Sequence, residues 1–427
     1  MDQQNTLNNL NNRTPKNNRS ITLILQTLMI LYLTIWSIAP PLSIDNIYRT
    51  IALVCAVGWF ILAMANGLSL LRNHLYSLGF MLMVVLINII QSQGDLSNIM
   101  RPIAYYMLVV TYIMNYSYQN RWEELHIIIP VCLVLFVFFN VLTYRELILD
   151  PTLARRIIRT DESMFQYMRR GIGGYALIYS QVFLFPVIFS WIKVAFKYHR
   201  VYFSLGVIWM VTYFLLILNA GYTIAVVTTI VSTIVLLIYK RKSVVPAVII
   251  SLAIIIFLVL LIGYVDSFRE ALLNMFSGTK IANKIEDIYN SLHGKEVADS
   301  IQIRLDRYWL SIQKIFTYPF IGCLWFSAGG GHSALLDTFA QYGIWGGYLF
   351  VKMFYCVPVN LKNKSDDKKD LRIANAFLVS LILVSLLDSL PYNMVFPIMI
   401  VAPAFINDLK KWRKENESSL DRQPVDA

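Results

Sequence analysis

Residues 244–264 read VVPAVIISLAIIIFLVLLIGY and contain no charged side chain. A helix needs about 20 apolar residues to cross the ~30 Å hydrocarbon core of a bilayer, so this run predicts a transmembrane helix. A strand is not expected, because an open sheet edge would leave backbone groups without hydrogen bonds in lipid. The stretch therefore favours an integral membrane protein.

Similar apolar runs recur along the chain and predict an all-α polytopic membrane protein with about twelve transmembrane helices. The last two runs are short and meet at residues 389–391, so they also fit a hairpin or a re-entrant pair. No internal sequence repeat is found. The predicted spans are 21–39, 49–65, 74–91, 100–117, 125–143, 172–192, 202–219, 222–239, 244–264, 335–358, 373–388 and 391–407.

The composition of the 427 residues agrees with this class. Hydrophobic residues make up 57% and charged residues 15%, against ~45–50% and ~25% in soluble proteins. The mean hydropathy is +0.56. These values exclude disordered, coiled-coil, collagen-like and disulfide-rich secreted classes. The four cysteines form no CxxC pair, so they predict neither a metal site nor a disulfide framework.

Basic residues explain the net charge of +11 and predict the orientation in the membrane. Under alternating topology they concentrate in the connections on one side, which is therefore expected to be cytoplasmic. Both termini are predicted on that side, with a disordered tail over 1–20, the membrane domain over 21–407 and a second tail over 408–427. Because topology accounts for the charge, nucleic acid is not expected as a partner.

Two long connections, 144–171 and 265–333, are predicted on the opposite, extracytoplasmic side. The first contains a cluster in which every base is arginine, and a positive cluster opposes the usual charge bias of that side. Arginine favours planar, bidentate binding of phosphate oxygens. The alternative is a solvated helix whose arginines pair with local acids or lipid headgroups. The candidate substrate-binding residues are Arg155, Arg156, Arg159, Arg169 and Arg170. Glycines at 171, 173 and 174 follow, and they fit either a ligand or close helix packing.

The second connection contains a predicted amphipathic helix over 299–317. Apolar residues recur at helical spacing, and Pro319 ends the helix. Arg304, Arg307 and Tyr308 share a polar flank of this helix. The glycines at 329–331 fit no nucleotide-binding motif.

His332 and Ser333 come directly afterwards, where the chain enters the next predicted span. The ordinary pKa of histidine suits proton transfer near neutral pH, although a single histidine is more often structural. The start of the span is expected to offer free N–H groups and a positive dipole end to an anion. Asp337 is an acid whose charged form is energetically unfavourable at that depth of the membrane. It either orients His332 through Ser333 or water, or stays protonated in a packed interior.

Residues of about 300–347 resemble the Wzy-type polymerases of lipid-linked O-antigen and capsular repeat units, and the related O-antigen ligases. The resemblance is carried by Arg304, Arg307, Trp309, Pro319 and the stretch GGGHSALLDTFAQYGIWG at 329–346. The shared motif is His-Ser, nine residues and Gly-x-x-Gly, formed here by His332-Ser333, Gly343 and Gly346. The chain departs from the pattern at residues 219–222, Asn-Ala-Gly-Tyr, where many members have a Ser-Arg pair.

The resemblance implies a GT-C-like fold in the bacterial inner membrane and a metal-independent glycosyltransferase without a cofactor. The expected substrate is a glycan on undecaprenyl pyrophosphate, transferred at the extracytoplasmic face to an incoming lipid-linked unit. His332 is then the candidate base, Arg304 and Arg307 bind the donor pyrophosphate, and Tyr308 is a further candidate substrate-binding residue. The arginines of the first connection bind the second substrate. Ser333 and Asp337 are further candidate substrate-binding residues, and Gly331, Gly343 and Gly346 are structural motif residues. A chain-length regulator is a further expected partner.

Two alternatives remain open from the sequence. An O-antigen ligase would use the same donor and pass the glycan to lipid A–core. A flippase for the same lipid is a different class, and ion-coupled transporters usually carry charged residues at mid-membrane. The predicted spans contain few such residues, with Asp337 and Asp388 near span ends as the exceptions.

Overall fold

The computed structural model describes residues 16–64, 75–91, 126–150, 153, 162–293, 299–323, 330–355, 359, 367–388 and 395–420. Every regular element in these ranges is a helix. The helices are α1 (Lys16–Ile38), α2 (Pro40–Ile44), α3 (Asn46–Met64), α4 (Leu75–Gln91), α5 (Ile128–Leu149), α6 (Glu162–Arg169), α7 (Tyr175–Tyr198), α8 (Arg200–Ala220), α9 (Thr223–Ile238), α10 (Val245–Tyr264), α11 (Asp266–Met275), α12 (Lys280–Leu292), α13 (Asp299–Thr317), α14 (Ala334–Phe354), α15 (Lys368–Leu387) and α16 (Val395–Leu420).

The all-helical fold is confirmed for the described part of the chain. A helix occupies each predicted span except 100–117, which lies outside the described residues. In the described ranges, five helices (α5, α7, α8, α10 and α15) are long and apolar enough to cross a membrane. Shorter apolar stretches occur in α1, α3, α4 and α9. Several helices therefore qualify as membrane spans, and the total of twelve stays a prediction.

Helix α7 lies at the centre of the bundle, where it packs against α8, α9, α15 and α16. Buried amides add hydrogen bonds between the helices. Asn140 of α5 and Gln181 of α7 exchange two hydrogen bonds of 2.8 Å, and Trp209 of α8 donates to Gln181 at 2.9 Å. Because these polar groups are paired with one another, they do not oppose burial in an apolar bundle.

The bundle has two ends that differ in chemistry. At one end, α7 and α14 begin and α15 finishes; there Tyr179 donates to Asp388 at 3.0 Å, and the Ala334 N–H donates to the Asp388 carbonyl at 3.0 Å. At the other end, His126 contacts Asp408 at 2.9 Å, and Asn375 donates to the carbonyl of Arg241 in a basic loop. We call these two ends the Asp388 end and the Asp408 end. The basic loop thus lies opposite α13, as alternating spans predict.

Several boundaries differ from the prediction. Helix α5 continues to Leu149, into the connection predicted from 144, and stops just before Pro151, which disfavours helix in the preceding residue. Helix α1 begins at Lys16, inside the predicted tail over 1–20. Helix α16 continues to Leu420, through most of the tail predicted from 408.

Helix α14 occupies the span predicted over 335–358, but its helical backbone is interrupted at Gly343. Gly343 has φ 64° and ψ −168°, which is not helical. The turn after α13 fills the break: the Cys323 N–H donates to the Ala340 carbonyl at 2.9 Å, and the Ile344 N–H donates to the Pro319 carbonyl at 2.8 Å. These two bonds replace the helical one that the break removes between the Ile344 N–H and the Ala340 carbonyl.

The connection predicted over 265–333 contains α11, α12 and α13. Helix α12 buries Ile281 and Ile285 against Ile262 at the end of α10. Helix α13 has the bounds that the sequence predicts, and it packs on α14. This packing brings α13 to the Asp388 end.

Candidate functional site

Asp337 joins α13 to the loop that precedes α14. The Ser311 hydroxyl, 1% exposed, donates to Asp337 Oδ1 at 2.6 Å. The Gly330 N–H donates to Ser311 Oγ at 2.7 Å, and the Ser333 N–H donates to Asp337 Oδ2 at 3.0 Å. Asp337 therefore fixes the loop containing His332 on both sides of the histidine.

The start of α14 uses its N–H groups within the protein. The Leu336 N–H donates to Ser333 Oγ at 3.2 Å, which makes Ser333 the N-cap, and its hydroxyl donates to the Ser385 carbonyl. The Ala334 N–H donates to the Asp388 carbonyl at 3.0 Å. The expectation of free N–H groups for an anion at this helix start is therefore wrong for these two groups, because side-chain and backbone acceptors of the protein already bind them.

Arg304, Arg307 and Tyr308 lie on the part of α13 nearest to this loop. The Tyr308 hydroxyl donates to the Leu387 carbonyl at 2.6 Å, which attaches α13 to the end of α15. The Arg304 guanidinium lies close enough to the Tyr308 phenol to act on it electrostatically. Burial raises the pKa of Tyr308, and Arg304 acts in the opposite direction. Tyr308 is therefore neutral at pH 7 and able to act as a donor.

The histidine loop lies directly on the backbone of α13. A Cβ atom at Gly330 would be 2.0 Å from the Arg307 carbonyl oxygen, a distance that no side chain allows. A Cβ atom at Gly331 would be 4.0 Å from Nη1 of Arg307. Arg307 is exposed, so its guanidinium reaches the loop from the solvent side. Gly330 is thus the glycine that the close approach requires, and Gly331, with φ 77°, has a backbone conformation that favours glycine.

His332 is half-buried, with positive charges on the side of α13. Its pKa is lowered, first by burial and then by the guanidinium groups of Arg304 and Arg307, while Asp388 and Asp337 act in the opposite direction. At neutral pH the imidazole is therefore neutral and free to accept a proton. The structure thus brings a neutral base together with two of the predicted phosphate-binding arginines.

A buried acid beside the site was not assigned to it from the sequence. Asp388 is buried, and it accepts a hydrogen bond from Tyr179 in the second turn of α7. The ring of Tyr179 contacts those of Tyr175 and Tyr222, with centroids 4.3 and 5.9 Å away. Tyr222 belongs to the segment at 219–222 that departs from the family pattern. Asp388 could have been identified from the sequence, because it is an acid at the end of an apolar run. No sequence feature distinguishes Tyr179 or Ser311 as site residues.

Arg169 and Arg170 are exposed at the end of α6. Among the described residues, no hydrogen bond, ion pair or ring contact joins either of them to Arg304, Arg307 or His332. Helix α6 packs against α2. Arg155, Arg156 and Arg159 lie outside the described residues, so the cluster as a whole stays a prediction.

The glycines after α6 serve helix packing. The Ile172 N–H donates to the Tyr167 carbonyl and the Gly171 N–H to the Met168 carbonyl, which together form a Schellman cap. The Gly173 N–H donates to Thr143 Oγ1 of α5 at 2.8 Å, and residues 171–174 are buried. Of the two functions left open for this run, its position between α5 and α7 supports packing.

Residues able to bind a metal are not grouped in the part of the chain that the structure describes. No set of three His, Cys, Asp or Glu side chains there is close enough to hold an ion. His332 has Asp337 and Asp388 as acidic neighbours, and both carboxylates already accept hydrogen bonds from the protein. Metal-independent chemistry stays a prediction.

Comparison with known proteins adds no assignment. No family model matches the chain, and no curated protein matches it. The resemblance to repeat-unit polymerases therefore depends on the residues at 300–347 themselves. What the protein does is inferred from these residues and from their geometry at the Asp388 end.

Proposed function

We propose that the protein is a polymerase of undecaprenyl-pyrophosphate-linked oligosaccharide repeat units, acting at the extracytoplasmic face of a bacterial inner membrane. The observation that carries the proposal is the half-buried imidazole of His332 beside the guanidinium groups of Arg304 and Arg307. A base next to fixed cations suits a reaction in which a hydroxyl loses a proton while a diphosphate leaves.

The proposed reaction is a glycosyl transfer between two lipid-linked substrates. The acceptor hydroxyl oxygen forms a bond to the anomeric carbon of the donor glycan, and the bond from that carbon to the diphosphate breaks. The hydroxyl proton goes to His332, and the electron pair leaves with undecaprenyl pyrophosphate. Arg304 and Arg307 stabilise the charge that develops on the diphosphate, with each charge-assisted hydrogen bond contributing about 1.5–3 kcal/mol.

The remaining residues are proposed to position these groups. Tyr308 orients Arg304, and Asp337 holds the loop through Ser311 and Ser333. The arginines of the first connection, including Arg169 and Arg170, are proposed to bind the lipid-linked acceptor. A phosphate contact at residues 219–222 is not proposed, because Tyr222 packs there against Tyr179.

The test is product analysis in vesicles that contain the purified protein and lipid-linked repeat units as sole substrate, with a chelator present throughout. A ladder of glycan lengths is expected. Product only after addition of lipid A–core would assign the chain to the ligases, and movement of the lipid between leaflets without new glycosidic bonds would assign it to the flippases.

His332→Ala is expected to lower polymer formation at least about 100-fold, because general-base catalysis contributes roughly 10²–10⁴-fold. His293→Ala is the matched control, since His293 is exposed at the end of α12 and contacts its own helix at Tyr289. Full-length polymer from His332→Ala would remove His332 as the base.

A further inference from the structure

Helix α13 is oriented with its polar flank toward the bundle. Ser311 is 1% exposed, and Arg304 and Tyr308 are half-buried, whereas Trp309 is 60% and Phe316 80% exposed. The neighbouring α12 has the usual arrangement, with its apolar residues buried against α10. Among these helices of one connection, α13 therefore turns large aromatic side chains away from the protein.

The exposed apolar surface continues beyond the end of α13. Phe320 and Ile321 are exposed in the turn that fills the break in α14. On the other side of the break, Ile344 and Trp345 are exposed on α14, and the Ile344 N–H is bonded to the turn itself. One apolar surface thus runs from α13 onto a helix of the bundle. We name it the apolar ridge, formed by Leu305, Trp309, Phe316, Phe320 and Ile321.

A polar stripe lies beside the ridge on α13. Gln302, Asp306 and Gln313 are exposed, and they follow one another along the helix next to Trp309. The helix therefore has three flanks: one against the protein, one apolar and one hydrated. Helices at a membrane surface have this pattern, with Trp and Phe at the boundary between acyl chains and headgroups.

We propose that α13 and the turn after it lie at the membrane surface, with the apolar ridge inserted among the acyl chains of bilayer phospholipids. Phospholipid is the occupant because the ridge is continuous with exposed apolar residues of α14, in a chain with several helices fit to span a membrane. A soluble environment would leave Trp309, Phe316 and Phe320 in water together.

The lipid contact has a consequence that rests on the proposed function. Arg304 and Tyr308 lie on the flank of α13 that faces the bundle, so the depth of the helix sets their depth. A helix at the headgroup boundary holds these guanidinium and phenol groups at the level where a lipid-anchored diphosphate lies. The membrane position itself is independent of whether the chain is a polymerase.

Spin labels test the membrane position. Phe316→Cys and Trp309→Cys, with Gln313→Cys as the matched control on the hydrated flank, are labelled with a nitroxide after the native cysteines are replaced by alanine. The proteins are placed in vesicles of phosphatidylethanolamine and phosphatidylglycerol without polyprenyl lipid. Labels at 316 and 309 are expected to collide with dissolved oxygen at least about five times more, relative to a water-soluble nickel complex, than the label at 313.

Equal collision ratios at all three positions would overturn the proposal. Low collision with both reagents at 316 and 309 would mean that a second copy or another part of the chain covers the ridge, which also overturns it. Frequent collision of these labels with oxygen only after polyprenyl phosphate is added would also overturn the proposal.

The unmodified protein supplies a second measurement that does not depend on any variant. Vesicles containing a phospholipid with a photoreactive acyl chain are irradiated, and labelled peptides are identified by mass spectrometry. Adducts are expected in 305–321 and in α10, and not in α12. Labelling of α10 without any in 305–321 would overturn the proposal, whatever the outcome of the polymer assay.

Discussion

At the scale of single residues, His332 differs from His126 and His293 in the charges around it. His126 contacts a carboxylate at the Asp408 end, and His293 bonds to its own helix. His332 instead has two arginines among its charged neighbours, while the acids nearest to it accept hydrogen bonds from Ser311, Ser333 and Tyr179. This arrangement favours the neutral imidazole, which is the form that a base requires.

The pH dependence of polymer formation should reflect this. The pKa of His332 is lowered from its ordinary value of 6.5, so the neutral form persists to lower pH, and the rate should fall only below pH 6.5. Arg307→Gln removes one cause of the lowering, so the acid side of the rate profile should move to higher pH. Lys314→Gln, a charge removed from the same helix, serves as control. An unchanged profile in Arg307→Gln would contradict the assigned neighbour.

Arg304 tests whether a planar group is needed. Arg304→Lys keeps the charge but loses the two-pronged donor, so polymer formation should fall by about tenfold or more. Arg269→Lys is the control, since Arg269 lies in the same connection and pairs with Asp266 on α11. Initial rates with purified lipid-linked substrate give the comparison. Equal rates for Arg304→Lys and the unchanged protein would exclude bidentate binding of the diphosphate by Arg304.

At the scale of elements, the break in α14 explains one glycine of the motif. A Cβ atom at Gly343 would lie 2.3 Å from the carbonyl oxygen of Phe320, and φ is positive. Gly343→Ala should therefore lower the thermal midpoint of the detergent-purified protein and the polymer yield together. Gly278→Ala is the matched control, because Gly278 also has a positive φ but no atom within 4 Å of a Cβ. We expect roughly 1–2 kcal/mol at Gly278 and more at Gly343. Equal effects would mean that the contact with the turn adds nothing.

The helices were predictable from the sequence, and their interactions were less so. Apolar runs predicted the spans, and the spacing of apolar residues predicted the bounds of α13. Both signals are local properties of the sequence. Which side of α13 is buried could not be predicted from the helix alone. Its apolar stripe resembles a core face, yet Ser311 is the buried residue. Which flank is buried depended on an acid at position 337, and the break at Gly343 depended on a turn that supplies two backbone bonds.

At the scale of the whole molecule, the two ends predict a topology that labelling can check. Arg170→Cys and His293→Cys should react with a membrane-impermeant maleimide in intact cells, since both sites are exposed on the side of α13. Lys242→Cys, at the Asp408 end, should react only after the membrane is permeabilised. The protein with its native cysteines replaced by alanine gives the background. Labelling of Lys242→Cys alone in intact cells would reverse the orientation and contradict the proposed function.

The arrangement of the whole bundle was only partly predictable from the sequence. Alternating spans predicted that α13 and the basic loops lie on opposite sides, because each crossing reverses direction. The meeting of Tyr179, Asp388 and the histidine loop needed the assembled bundle, since these residues are far apart in the chain. Arg169 and Arg170 share the loop-rich end with α13, yet no described contact joins them to it, so proximity inferred from topology was too coarse to place a second substrate.

The loop before His332 is fastened at both of its ends. The Cys323 N–H donates a hydrogen bond to the Ala340 carbonyl, and the Gly330 N–H donates one to Ser311 Oγ. The residues between 323 and 330 therefore connect two fixed points. Insertions or deletions in that interval are expected to leave these two hydrogen bonds in place. The length of this interval can thus vary while the base of the proposed function keeps its place.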